Sequence, residues 1–166
     1  MGRFSGKKIV ITGASSGIGL AGAMRIIDEG GEVMLTGRHQ QKLASLRTLL
    51  PERAWFLQND GAKPEAAHAL AESVESFGML DGLWLNAGQL AFSTVENTTE
   101  TQFDTIMANN VRSAVLQIAA LSRFLKSLYG RLRRHATGGA LCRQQRRAAG
   151  PGSQLGNSLR RPRDQS

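Results

Sequence analysis

Between Lys7 and Lys126, short apolar runs alternate with longer amphipathic stretches, the pattern of strand–helix units stacked into a parallel sheet. The apolar runs predict strands near Lys8–Thr12, Glu32–Thr36, Ala54–Gln58 and Gly82–Asn86. Spacing of three and four residues predicts helices over Gly17–Glu29, Gln40–Leu49, Pro64–Phe77 and Thr101–Lys126. In the last of these, Phe103, Ile106, Met107, Val111, Ala114, Val115 and Ile118 fall on one face. Strict alternation of four strands with four helices reads as an α/β, doubly wound parallel sheet, truncated after about four strand–helix units. The fourth strand is then expected at a sheet edge, and the apolar face of the last helix is expected to be partly uncovered and open to self-association.

The pattern stops abruptly. After Tyr129 there is no Ile, Val, Met, Phe, Trp or Tyr, and four Leu are spread over the remaining residues. Ordering the backbone costs roughly 1–2 kcal/mol per residue, whereas a buried Leu returns about 1.5–3 kcal/mol. Residues 129–166 are therefore expected to form an irregular, disordered or loosely attached tail, and residues 1–128 to form the folded body.

Charge divides at the same place. Residues 1–128 balance 12 Lys and Arg against 12 Asp and Glu, so the formal net charge of +8 comes from a tail with nine Arg and only Asp164 in opposition. The lone Cys142 excludes an intramolecular disulfide framework, and no apolar run is long enough for a bilayer. The start, MGRFSGKK, has no apolar signal core, and Gly6 stands where a myristoylation motif wants Ser or Thr. The expectation is one soluble, cytoplasmic domain without a membrane partner.

The candidate chemistry lies at strand ends. TGASSGIG, from Thr12 to Gly19, follows the first strand and opens the first helix. A pyrophosphate is held there by backbone N–H groups, and glycines permit the tight turn and the close approach of phosphate. Gly13, Gly17 and Gly19 suit those roles, with Ser15, Ser16 and Ile18 beside them. Further along come Asn59–Asp60 after the third strand, NAG at Asn86, Ala87 and Gly88 after the fourth, and ANNVRSAV on the last helix.

These segments, in this order, resemble the short-chain dehydrogenases/reductases, whose glycine signature is T-G-x-x-x-G-x-G. The resemblance covers residues 7–126 and implies a Rossmann-like dinucleotide-binding domain. It places Asp60 beside the adenine ring, puts Asn86, Ala87 and Gly88 at the central sheet and cofactor, and makes Asn110 an active-site residue. Leu85 departs from the family's frequent N-N-A-G. At the end of the second strand, an acidic residue would bind the ribose 2′-OH of NAD, whereas an Arg can clamp the 2′-phosphate of NADP. Here Gly37 takes the acidic position and Arg38 follows, which favours NADP over NAD; the other reading of Arg38 is a solvated charge opening a helix. His39, His68 and His135 lack metal-ligand spacing, and Trp55 and Trp84 read as core or edge packing.

The resemblance further implies hydride transfer between a nicotinamide and a small carbonyl or alcohol substrate. A Tyr activated by a Lys four residues later moves the proton, and a Ser polarises the substrate oxygen. The sequence contains no Y-x-x-x-K: its single Tyr129 is followed by Arg133, and Ser127 lacks the family's context. Only Asn110 of that set carries over. A reading-frame change accounts for the tail. Read from the second base, the codons of Leu128, Leu141 and Gln145 can encode serine, tyrosine and lysine at separations that fit the family, although the fifth strand is still missing. An uninterrupted frame in independently sequenced DNA would sink that account. Three readings follow: a dinucleotide-dependent oxidoreductase inactive as written, a catalytically incompetent nucleotide-binding fragment, or a Rossmann body with an Arg-rich nucleic-acid-binding arm. The absence of Lys and interleaved aromatics from the tail argues against the last.

Overall fold

The computed structural model describes residues 2–126, so the tail and the positions of Ser127, Tyr129, Arg133, His135 and Cys142 lie outside the described residues. Four parallel strands, β1 (Lys8–Thr12), β2 (Glu32–Gly37), β3 (Ala54–Gln58) and β4 (Gly82–Leu85), form one sheet in the order β3-β2-β1-β4. Ile9 pairs with Val33 on one side and with Gly82 on the other. The chain therefore builds outward from β1 in one direction and then crosses to its other side. Among the described residues, β4 is a sheet edge, as expected.

Alternation along β1 assigns the two faces. Ile9 and Ile11 point to one side, where they join Val33, Leu35 and the Ala23, Ile26 and Ile27 stripe of α1 (Gly17–Asp28). Val10 and Met34 point to the other, against Leu70, Val74 and Phe77 of α3 (Ala66–Phe77). Both faces are thus covered, the condition under which an all-parallel sheet is stable. Burying each large side chain contributes about 1.5–3 kcal/mol. The intervening α2 spans Gln40–Leu49, the predicted range, and buries Leu43 and Leu46. Trp55 meets Phe77 edge to face at 5.4 Å. Trp84 lies over Gly22, where a methyl would come within 2.2 Å of the indole. Both tryptophans pack at edges of the sheet.

The predicted helix Thr101–Lys126 is not one helix. It begins at Glu100 as α4 (Glu100–Met107), capped by Thr99 and Gln102, which exchange hydrogen bonds in a capping box. It then widens into a π turn at Ala108–Arg112, resumes as α5 (Ser113–Leu121) and ends in a 3₁₀ turn at Ser122–Phe124. The buried residues of α5 are Ser113, Gln117 and Leu121, two of them polar. The apolar stripe faces outward, with Phe103, Met107, Val111, Val115 and Ile118 all exposed.

Two ion-pair clusters anchor this body: one joins Lys7 and Lys126 through Asp81, and the other holds Arg3 to Glu29 at the end of α1. The Asp81 carboxylate is loaded by burial but accepts hydrogen bonds from Lys126, the Lys8 backbone N–H and Lys7, which hold it below the usual carboxylate range. The Arg3 guanidinium, against partial burial and with help from Arg25, brings Glu29 down to about 2. Lowered folded-state pKa values stabilise the fold above the unfolded carboxylate pKa of about 4, and that stability is lost as pH falls through the folded values. Thermal melts taken from pH 6 to pH 2 should show a falling acid limb. In Glu29→Gln and Asp81→Asn the limb should flatten; an unchanged limb in both would refute the assignment.

Candidate functional site

A cleft of about 290 Å³ opens at the C-terminal ends of the strands, where the chain's direction of build reverses between β1 and β4. Its first wall is the β1–α1 loop, Thr12 to Ser16. Gly13 turns that loop at φ +64°, and a side chain there would drive a methyl to 2.7 Å from the Ala87 backbone. The loop is held from β4: the Asn86 side-chain amide donates to the carbonyl oxygens of Thr12 at 3.2 Å and Gly13 at 3.1 Å, and Ala87 N–H donates to Thr12 Oγ1 at 3.1 Å.

The loop leads into the N-terminus of α1. Ser16 stands at the cap position with no side-chain bond to the helix, and the first turn holds no acidic residue. The opening N–H groups of α1 thus keep their donor capacity and the positive end of the helix dipole. Gly17 begins the helix at φ +59° with open space where a Cβ would be, while Gly19 is packed tightly against the Asn86 amide and Gly13. A cradle that a Cβ would fill, next to unpartnered donors, fits a diphosphate.

The second wall is basic. Arg38, His39 and Lys42 line the cleft beyond β2, and Arg38 is exposed; among the described residues its guanidinium makes a single 3.5 Å contact, to Gln89 Oε1. Gly37 is buried against Ser15: a Cβ there would lie 2.9 Å from the Ser15 side chain. The third wall follows β3, where Asp60 Oδ1 accepts from Ala62 N–H at 3.3 Å and shapes the turn. Among the described residues Asp60 is the only carboxylate lining the cleft, against Arg38 and Lys42, so the field of the cleft favours anions.

Of the predicted site residues, Gly13, Ser15, Ser16, Arg38, Asp60, Asn86, Ala87 and Gly88 line this one cleft. Gly17, Ile18 and Gly19 adjoin it on α1 without forming its wall, and the Ile18 side chain is exposed. Asn110 lies outside the lining. Its carboxamide is paired with the Gln89 backbone, accepting from N–H at 2.7 Å and donating to the carbonyl at 2.8 Å, so it staples the segment after β4 to the π turn. Residues given no site role from the sequence complete the cleft: Thr36, His39, Lys42, Gly61 and Gln117, together with Asn59, Asn109 and Ser113, which fall in the motif segments without being singled out there. Lys42 had a readable signal, being one helical turn from Arg38. Ser113 and Gln117 had none, because polar residues opposite an apolar stripe read as the solvent face. No cluster of metal-ligating side chains occurs among the described residues, and none of their helices is long and apolar enough to cross a membrane.

Comparison with known proteins places this geometry. Residues 7–133 match the short chain dehydrogenase family. A glucose 1-dehydrogenase of Gluconobacter oxydans is 36% identical over 127 residues, covering 74% of this chain and 48% of that protein. A 3beta-hydroxysteroid dehydrogenase of Mediterraneibacter gnavus is 36% identical over 118 residues, 68% of this chain and 43% of the relative. Among solved structures, a short chain dehydrogenase from Burkholderia cenocepacia in complex with NADP superposes with a TM-score of 0.66 at 33% identity, covering 74% of this chain and 52% of that one. The chain spans about half the length of the curated relatives it matches.

Proposed function

The chain belongs to the short-chain dehydrogenase family, and from that premise we propose that its cleft binds NADP(H), in preference to NAD(H), for hydride exchange with a small carbonyl or alcohol substrate. The observation that carries this reading is the joining of the glycine loop and the Arg38–Lys42 rim in one cleft at the strand ends. The α1 N-terminus and the glycine loop would hold the pyrophosphate, Arg38 with Lys42 and Ser15 the ribose 2′-phosphate, and Asp60 the adenine side. A bound nicotinamide dinucleotide would supply the hydride-carrying ring. Asn86 keeps the glycine loop in place from β4, so the loop is preorganised before any ligand arrives.

Proton transfer is a separate requirement. It needs a donor whose pKa is drawn toward working pH by a neighbouring cation, and the sequence holds no Y-x-x-x-K to provide one. We therefore expect the chain as written to bind the nucleotide without turning over. The exposed apolar stripe from Phe103 to Ile118 is the surface assigned to self-association in the same reading.

Titration of the full chain by calorimetry, followed by absorbance assays with a panel of aldehydes, ketones and alcohols, tests both parts. NADPH should bind at least about tenfold more tightly than NADH, with no change in nicotinamide absorbance over hours. Tighter binding of NADH would refute the 2′-phosphate assignment, and steady turnover would refute catalytic incompetence.

A further inference from the structure

The inner face of α5 presents Ser113, Gln117 and Leu121 one turn apart. Leu121 joins the apolar cluster beneath the sheet, but Ser113 and Gln117 reach the cleft while exposing only 4% and 2% of their surface. Buried polar side chains nearly always have hydrogen-bond partners. Around α5, the side-chain bonds among the described residues run from its flanks, Arg112 to the Ala62 carbonyl at 3.1 Å and Ser122 to the Ala119 carbonyl at 2.9 Å; none engages the Gln117 carboxamide or the Ser113 hydroxyl.

Opposite them lies Gly61. A methyl at that position would sit 2.3 Å from Ser113 Oγ and 3.0 Å from Gln117 Nε2, so the missing side chain is what lets both groups pack against this loop at the wall of the cleft. On the same loop, Asn59 donates its amide to the Ala66 carbonyl at 2.8 Å and leaves its buried Oδ1 without a partner. The cleft wall beside Asp60 therefore holds one buried oxygen without a partner, Asn59 Oδ1, and two nearly buried polar side chains that make no side-chain bond to another described residue.

We propose that Gln117, supported by Ser113, is a specificity residue that reads the base of the nucleotide. This rests on the dinucleotide reading above. A carboxamide offers a donor beside an acceptor, the complement of adenine's exocyclic amine beside a ring nitrogen. The Asp60 carboxylate offers acceptor oxygens and reinforces the choice of a base bearing an amine. Ser113 serves as a positioning partner, able to donate or accept as the amide settles.

The test compares the wild-type full chain with Gln117→Met, which preserves length and volume, and with Ser113→Ala. The probes are NADPH, its 1,N6-etheno derivative, in which the amine edge is masked, and reduced nicotinamide mononucleotide, which lacks the base. Wild type should bind NADPH about tenfold better than the etheno form, the size of one buried hydrogen bond. Gln117→Met should lose about tenfold for NADPH, show little further loss with the etheno form, and leave mononucleotide binding unchanged. Its ligand-free melting temperature should hold, because the replacement conserves volume and breaks no side-chain hydrogen bond among the described residues. Ser113→Ala should shift the NADPH affinity in the same direction by a smaller factor.

Equal NADPH affinity in wild type and Gln117→Met would overturn the assignment. So would an etheno penalty that persists undiminished in Gln117→Met, or a fall in the ligand-free melting temperature, which would mark Gln117 as a core contact. Binding of NADPH that weakens in Arg38→Ala but shows no etheno penalty would remove the base reading alone. Failure of wild type to bind NADPH at all would remove the cofactor reading with it.

Discussion

Replacing Gly13 with alanine should lower the melting temperature by roughly 10 °C or more and abolish measurable NADPH binding. Two effects combine: a non-glycine residue at φ +64° costs about 1–2 kcal/mol, and a methyl 2.7 Å from the Ala87 backbone adds an overlap worth about 1–3 kcal/mol that rotamer changes cannot relieve. That sum is a large part of the 5–15 kcal/mol that holds a typical domain together. Gly17→Ala is the matched control. Its φ of +59° carries the same backbone cost, but the methyl meets open space, so stability should fall by only about 1–2 kcal/mol. Binding should still drop sharply, because the methyl enters the space beside the helix N-terminus that a phosphate would need. Circular-dichroism melts with calorimetric titrations separate the pair; equal melting temperatures for the two variants would show that the Ala87 contact is not rigid.

Arg38→Ala should reduce NADPH affinity by about ten- to a hundredfold and leave NADH affinity within about twofold, since only NADPH carries the 2′-phosphate. The reverse switch meets a barrier visible in the structure. An acidic residue at position 37 would place its Cβ 2.9 Å from Ser15, so Gly37→Asp alone should cost stability and gain little NADH affinity. Combined with Ser15→Gly, which removes the obstructing side chain, it should bind NADH better than either single variant. Equal loss of both cofactors in Arg38→Ala would show that the guanidinium acts on the shared pyrophosphate.

The sheet and the glycine-loop side of the cleft were readable because local signals and tertiary demands agree there. The run KIVIT is apolar on both faces because both faces of β1 are buried, and the turn at Gly13 needs a residue that tolerates positive φ. Arg38 could be read from its place after β2 alone. The half lined by α5 could not be read, because the apolar stripe is exposed on both sides of the π turn, at Phe103 and Met107 before it as well as at Val111, Val115 and Ile118. Spacing puts Val111, Ala114, Val115 and Ile118 on one face, expected to be partly uncovered, and gives no sign that the polar Ser113 and Gln117 on the other face are the buried ones. Asn109 and Asn110 mark the break, through bonds to the Thr105 carbonyl at 2.8 Å and to the Gln89 backbone. Such pairings are invisible to spacing.

The walls of the cleft come from loops behind β1, β2, β3 and β4 and from α5, segments that meet only when the whole sheet has assembled. The unfolded chain has no partial version of this site. A ligand of the cleft is therefore linked to global folding: at a hundred times its dissociation constant it adds about 2.7 kcal/mol to the unfolding free energy, and the melting temperature climbs with the logarithm of ligand concentration. Amide exchange should slow in step across β3 and β4 alike, although these strands lie at opposite edges of the sheet.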